Sequence, residues 1–162
     1  MAQVTRSEVS IEVIDHDGDR MITTLQGSGS TALTYADVAN DADAIMDALA
    51  GIVDGNIVSR TLKANREYNT IPTNATPVQS QTSRQWVMEM QDSVTGRIYT
   101  ARLGTAAPEK AGNTTAVING VVELDLTAGN GLALATAFAS ANFAPLSPLG
   151  NAMTLQRVYL RD

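Results

Sequence analysis

The chain says nearly the same thing twice. The segment EVIDHDGDRMITTLQG, Glu12 to Gly27, is echoed 77 positions later by EMQDSVTGRIYTARLG, Glu89 to Gly104. Five residues are kept: Glu12/Glu89, Asp15/Asp92, Arg20/Arg97, Thr23/Thr100 and Gly27/Gly104. Apolar residues coincide at Val13/Met90, Met21/Ile98 and Ile22/Tyr99. A fainter echo lies 93 positions on and pairs Thr34/Thr127, Ala42/Ala135, Ala44/Ala137, Ile45/Phe138, Ala48/Ala141, Thr61/Thr154 and Leu62/Leu155. The longer offset implies an insertion between Gly104 and Thr127. Such a chain is expected to fold as two similar small units.

The local patterns say what the unit is. Val9, Ile11 and Val13 alternate with polar residues, which marks a half-buried strand. His16 to Asp19 is a turn, and Arg20 to Gln26 returns as a second strand. Thr34 is placed to cap a helix, with Asp37 as its capping-box partner. The helix is expected to reach about Ala50 and stop at Gly51. Tyr35, Val38, Ala42, Ile45, Met46 and Leu49 form its apolar stripe. A third strand follows from Ile57 to about Glu67. The predicted class is α+β: an internally duplicated ββαβ-like unit, mainly antiparallel sheet with two helices. Residues 1–68 form the first unit, 69–84 a linker, and 85–162 the second, with an inserted loop and hairpin at about 105–126.

In the second unit, Asn119-Gly120 between apolar runs signals a tight hairpin. Thr127 is expected to cap a second helix running to about Asn142. Its Ala-rich middle predicts deeper burial than the first helix has, either within the fold or against another subunit. Met153 to Leu160 closes the unit as a strand. Lys110 and Gly112 fall in the insertion and read as exposed loop.

Composition removes several functions. With 162 residues and 44% hydrophobic content the chain can bury a core. The net charge of −6 disfavours nucleic acid as a partner. Cysteine is absent, which removes disulfides, thiolate metal sites and Cys nucleophiles. No secretion signal and no membrane span is expected.

Candidate sites are few. Asp15, Asp17 and Asp19 alternate beside Gly18, like the first half of a calcium loop. The match is partial, because the Glu expected at loop position 12 falls at Gln26. The second copy keeps only Asp92 of the three acids, so a structural turn is the first reading and a weak cation site the alternative. His16, the single histidine, lies in that turn with no evident catalytic partner. Catalytic residues, metal and cofactor are all expected to be none. Asn74-Ala75-Thr76 and Asn113-Thr114-Thr115 fit the glycan acceptor pattern and read as chance matches. The Glu/Arg pairs kept in both copies suggest cross-strand ion pairs. Trp86, Phe138 and Phe143 are the candidates for a subunit interface, although for Trp86 a core anchor is the first reading and the interface the alternative.

In overall character the chain resembles small structural proteins of tailed bacteriophages and related viruses. These are acidic, free of cysteine and rich in Ala, Thr, Val and Gly, with turn-punctuated strands and Thr/Asn/Pro loops. The resemblance implies a virion protein, made in the host cytoplasm, that binds copies of itself and other virion proteins. Tail-tube relatives usually carry one helix, and two are expected here. That points to capsid decoration or a minor capsid role, with a tail-tube or tail-completion subunit as one alternative. A soluble binding module holding a cation at Asp15–Asp19 is the other. A trimer of duplicated chains would offer six similar units to a lattice.

Overall fold

The structure, a computed structural model, describes residues 6–14, 18–28, 33–53, 56–65, 67–72, 85–105, 110–140 and 142–161. The first half supplies β1 (Ser7–Ile14), β2 (Arg20–Ser28), α1 (Tyr35–Ile52), β3 (Asn56–Ala64) and β4 (Glu67–Pro72). The second supplies β5 (Gln85–Asp92), β6 (Ile98–Thr105), β7 (Thr115–Ile118), β8 (Val121–Leu124), α2 (Gly129–Phe138), β9 (Ala144–Pro145) and β10 (Met153–Arg161). The fold is α+β. Two five-stranded sheets have the orders β4-β3-β1-β2-β9 and β6-β5-β10-β8-β7. Their strand pairings are antiparallel.

One strand order recurs in both halves. β1 lies between β2 and β3, and β5 lies between β6 and β10. In the first half the hairpin leads to α1 and β3 returns beside β1; in the second, after the inserted β7–β8 hairpin, α2 and the short β9, it is β10 that returns beside β5. The alternation of Val9, Ile11 and Val13 turns these side chains into the core, as Trp86, Met88 and Met90 do from β5. Antiparallel sheets of this kind bury one face and leave the other to solvent.

The residue echo holds on these central strands and fails beyond them. Ile14 pairs with Arg20, whereas Gln91 pairs with Ile98, so the second hairpin turn is one residue longer. Side chains alternate with a period of two, and one residue exchanges the faces. Thr23 and Leu25 therefore face the core from β2, while Ala101 and Leu103 do so from β6 and Thr100 is exposed. The closing strands are also displaced. Leu62 lies opposite Val9 and Leu160 opposite Trp86, so Leu62 corresponds to Leu160 and not to Leu155. The predicted ion pairs split in the same way. Arg20 meets Glu12 at 2.6 Å, but Glu89 takes Arg157 of β10 at 3.2 Å in place of Arg97.

The helices differ from expectation at their ends. Thr34 and Asp37 form the predicted capping box: the Asp37 N–H donates to Thr34 Oγ1, and the Thr34 N–H donates to Asp37 Oδ2 at 2.8 Å. At the other end α1 runs through Gly51 to Ile52 and stops at an extended Val53. The helix α2 is shorter than predicted, ending at Phe138, and its N-cap Ala128 has no side-chain cap. Thr127 serves a turn instead, its N–H and hydroxyl donating to Asp125 Oδ1. Nor is α2 the more buried helix: Leu132 is 47% exposed, whereas the α1 stripe of Val38, Ala42, Ile45, Met46 and Leu49 is enclosed. No helix among the described residues is long and apolar enough to cross a membrane.

The two halves share one core. Residues of β1, β3, β5, β6, β10 and both helices belong to a single buried cluster. The Thr23 hydroxyl donates to the Arg102 carbonyl, joining β2 to β6. β9 completes the first sheet from the second half, with Gly27 opposite Pro145 and Ser28 opposite Ala144. Gly27 is required there, since a Cβ would come within 2.6 Å of the Phe143 ring. β4 begins at Glu67, within the predicted first unit, and runs across the predicted boundary into the first four residues of the 69–84 linker, Asn69 to Pro72; residues 73–84 lie outside the described residues.

Candidate functional site

Sequence reasoning placed its candidates in three places. Asp15, His16 and Asp17 lie outside the described residues. Asp19 is described, and the described residues contain no cluster of three or more metal-ligating side chains. Trp86 and Phe143 are fully enclosed and Phe138 is 7% exposed, so these rings pack the core and leave the surface to other residues. The Trp86 indole N–H has no acceptor among the described residues, so packing fixes it. Asn113, one of the two glycan acceptor matches, turns its amide inward; Asn74, the other, lies outside the described residues.

That inward turn belongs to a capping cluster the sequence did not reveal. The last carbonyls of a helix need donors. Lys110 Nζ reaches the carbonyls of Ala50 at 3.3 Å and Val53 at 2.6 Å. Asn113 Nδ2 donates to Ile52 O at 3.2 Å, and Asn130 Nδ2 to Gly51 O at 3.0 Å. A cation at the negative end of a helix also complements its dipole. The insertion thus ties the second half to the end of α1, and Gly51 has no stop to supply. Gly129 fits the same corner: its φ is +53°, and a Cβ would meet the Gly112 carbonyl at 2.1 Å.

A second polar cluster fastens the turn after β5. Asp92 Oδ1 accepts from the N–H groups of Val94 at 2.8 Å and Thr95 at 2.9 Å. Its Oδ2 accepts from the Ser147 hydroxyl at 2.6 Å and Asn151 Nδ2 at 3.1 Å. Burial alone would raise the Asp92 pKa, but these donors outweigh it and hold the carboxyl well below the usual carboxylate range. All four donors favour the charged form, which gives the group a structural role and leaves it no proton to exchange near neutrality.

On the outer face of the second sheet, Arg157 bridges Glu89 at 3.2 Å and Glu123 at 2.9 Å, across β5, β10 and β8. The Glu123 hydrogen bond leads in pushing the Arg157 pKa up, and Glu89 adds to it. The guanidinium also stacks 4.2 Å from the centre of the Tyr159 ring.

The first sheet carries a groove of about 430 Å³ where β1, β2 and β3 meet the turn after β9. Arg6, Glu8, Gln26, Lys63 and Asn65 line it from the sheet. Leu146, Ser147, Pro148 and Gly150 make the opposite wall. That wall is anchored, because the Leu146 N–H donates to Gln26 O at 2.7 Å and Ser147 is held by Asp92. The groove volume suits a small molecule. Its lining is drawn from four separate segments, and only the register brings them together. The one local signal is spacing: Arg6 and Glu8, two residues apart, fall on one strand face.

A last feature is the hairpin of β7 and β8. Val117 pairs with Val122 and Ile118 with Val121. Asn119 and Gly120 take φ values of +51° and +79°, the left-handed pair of a type I′ turn. All four β7 side chains are exposed, Val117 at 70% and Ile118 at 50%. β7 is the edge of its sheet.

No protein-family model matches the chain, and comparison with curated proteins and with solved structures gives no match.

Proposed function

We propose that this chain is a non-enzymatic structural subunit of a virion, of the capsid decoration or minor capsid kind, which binds copies of itself or a capsid shell. The observation that carries the reading is the β7 edge. Exposed edges are usually blunted by charge, proline or a bulge. β7 reads Thr-Ala-Val-Ile and has none of these among the described residues. An edge so left open is suited to adding a strand from a neighbour. β4 is the edge strand of the other sheet, with Tyr68 and Thr70 exposed. β4 carries Glu67 and Pro72, both blunting, so of these two edges β7 is the open one, and a strand added there by a neighbour gives a contact of the kind that builds rings or extended arrays. The recurring strand order supports descent from a duplicated ββαβ unit, which gives a lattice two similar elements per chain.

Electron microscopy of the purified protein beside its source particle tests the proposal. Shell-bound density or rings are the expected result, and tubes would move the assignment to the tail. Replacing Val117 and Ile118 by Lys should abolish assembly or shell binding with little change in the melting midpoint, since Val117 is mostly and Ile118 half exposed. Particles that never contain the chain would overturn the reading.

A further inference from the structure

We propose that the groove on the first sheet binds a sugar acid, a small molecule with one carboxylate and several hydroxyls. This rests on the groove alone and is independent of the assembly role. The register sets Gln26, Glu8, Lys63 and Tyr68 in one row across β2, β1, β3 and β4. Neighbouring strands lie about 4.8 Å apart, so the part of the row that lines the groove, Gln26 to Lys63, extends roughly 10 Å, enough for one sugar ring.

The charges in the row choose the ligand. No salt bridge joins Arg6 or Lys63 to a described carboxylate, although Glu8 is the direct cross-strand neighbour of Lys63. The Lys63 ammonium instead lies 5.4 Å from the centre of the Tyr68 ring. Two cations without a carboxylate partner, in a chain of net charge −6, make a local site for one anionic group. The middle of the row is different. Glu8 would repel a second negative charge, which disfavours a phosphate dianion or a dicarboxylate. A carboxylate there, with the amide of Gln26 also lining the groove, is suited to sugar hydroxyls. Tyr68, next in the row but outside the groove lining, is 66% exposed, and its ring holds the Lys63 ammonium at the groove's margin. Leu146 and Pro148 are the apolar residues of the lining, too few for a lipophilic ligand.

The test is a titration of the isotope-labelled protein with D-glucuronate, D-galacturonate and N-acetylneuraminate, with D-glucose and acetate as controls. At least one sugar acid should give saturable amide shifts at Glu8, Gln26 and Lys63. Glucose and acetate should each bind at least about tenfold more weakly, because each supplies one half of the recognition. Lys63→Ala should weaken the sugar acid by about tenfold or more, and Glu8→Gln should weaken it while sparing acetate, both with the melting midpoint unchanged. A response to none of the sugar acids overturns the proposal. So does acetate binding as tightly as they do, which would make the groove a general anion site, or full binding by Lys63→Ala.

Discussion

The two halves use one strand order and finish it by different means. In the first, α1 is closed at both ends by side chains: Thr34 and Asp37 at its start, and Lys110, Asn113 and Asn130 at its end. In the second, α2 starts from an uncapped Ala128 and leaves Leu132 in solvent. The three groups that end α1 come from the second half. What differs between the halves is therefore also what joins them. The recurring part is the hydrogen-bonded frame of β1 and β5 with their neighbours. The unique part, the 110–130 region, serves as the clasp.

The largest test of this comparison is in the shared core. Trp86 and Val9 occupy matching positions on the two central strands. Trp86→Ala should cost about 3–5 kcal/mol. If the halves form one cooperative unit, urea unfolding of this variant stays a single transition by both fluorescence and circular dichroism; two separated transitions would break the shared-core account. Next in size is Asp92→Ala, which leaves the Ser147 hydroxyl and two backbone N–H groups without their acceptor. It should lower the melting midpoint by several degrees at neutral pH.

The same carboxylate gives a pH signature. Its folded pKa is depressed, so its contribution is complete above the unfolded pKa of about 3.9 and is lost as pH falls towards the folded value. The wild-type midpoint should fall below about pH 4, and Asp92→Asn should lose part of that slope; an unaltered slope would remove Asp92 from the account. Asn130→Ala removes donors to Gly51, Ala111 and Asn113 and should cost about 1–3 kcal/mol. Hydrogen exchange should then quicken at the end of α1 more than at its start. The smallest contrast is at the two threonines that the sequence equated. Thr34→Ala should cost about 1 kcal/mol in chemical denaturation, and Thr127→Ala less, because only Thr34 caps a helix.

Much of the frame was legible in the residues. The alternation from Val9 to Val13 identified β1, Thr34 with Asp37 identified the start of α1, and Asn119-Gly120 identified the hairpin. What failed is instructive. Gly51 resembled a helix stop because a local pattern cannot register a lysine and two asparagines arriving from far along the chain. Thr23 and Thr100 looked equivalent because identity is read without register, and one additional turn residue reverses the face. Phe138 and Phe143 drew attention as contact residues because they are large, yet size serves the interior equally well, as the core role read for Trp86 already implied. The groove had no sequence signal beyond short spacings, since its row exists only after β2, β1, β3 and β4 have aligned.

The two residues of β9 have a consequence for how the chain comes into being. As the protein leaves the ribosome, β1, β2, α1 and β3 emerge before any element of the second half. Among the described residues, the edge of β2 at Gly27 is covered by Phe143 to Leu146, more than 110 residues further along the chain. An N-terminal half made alone would carry that bare edge, and a pairing so distant in sequence closes slowly. Nascent chains halted before Phe143 should accordingly be captured by chaperones and cut by proteases at β2, while those that extend past Pro145 resist both.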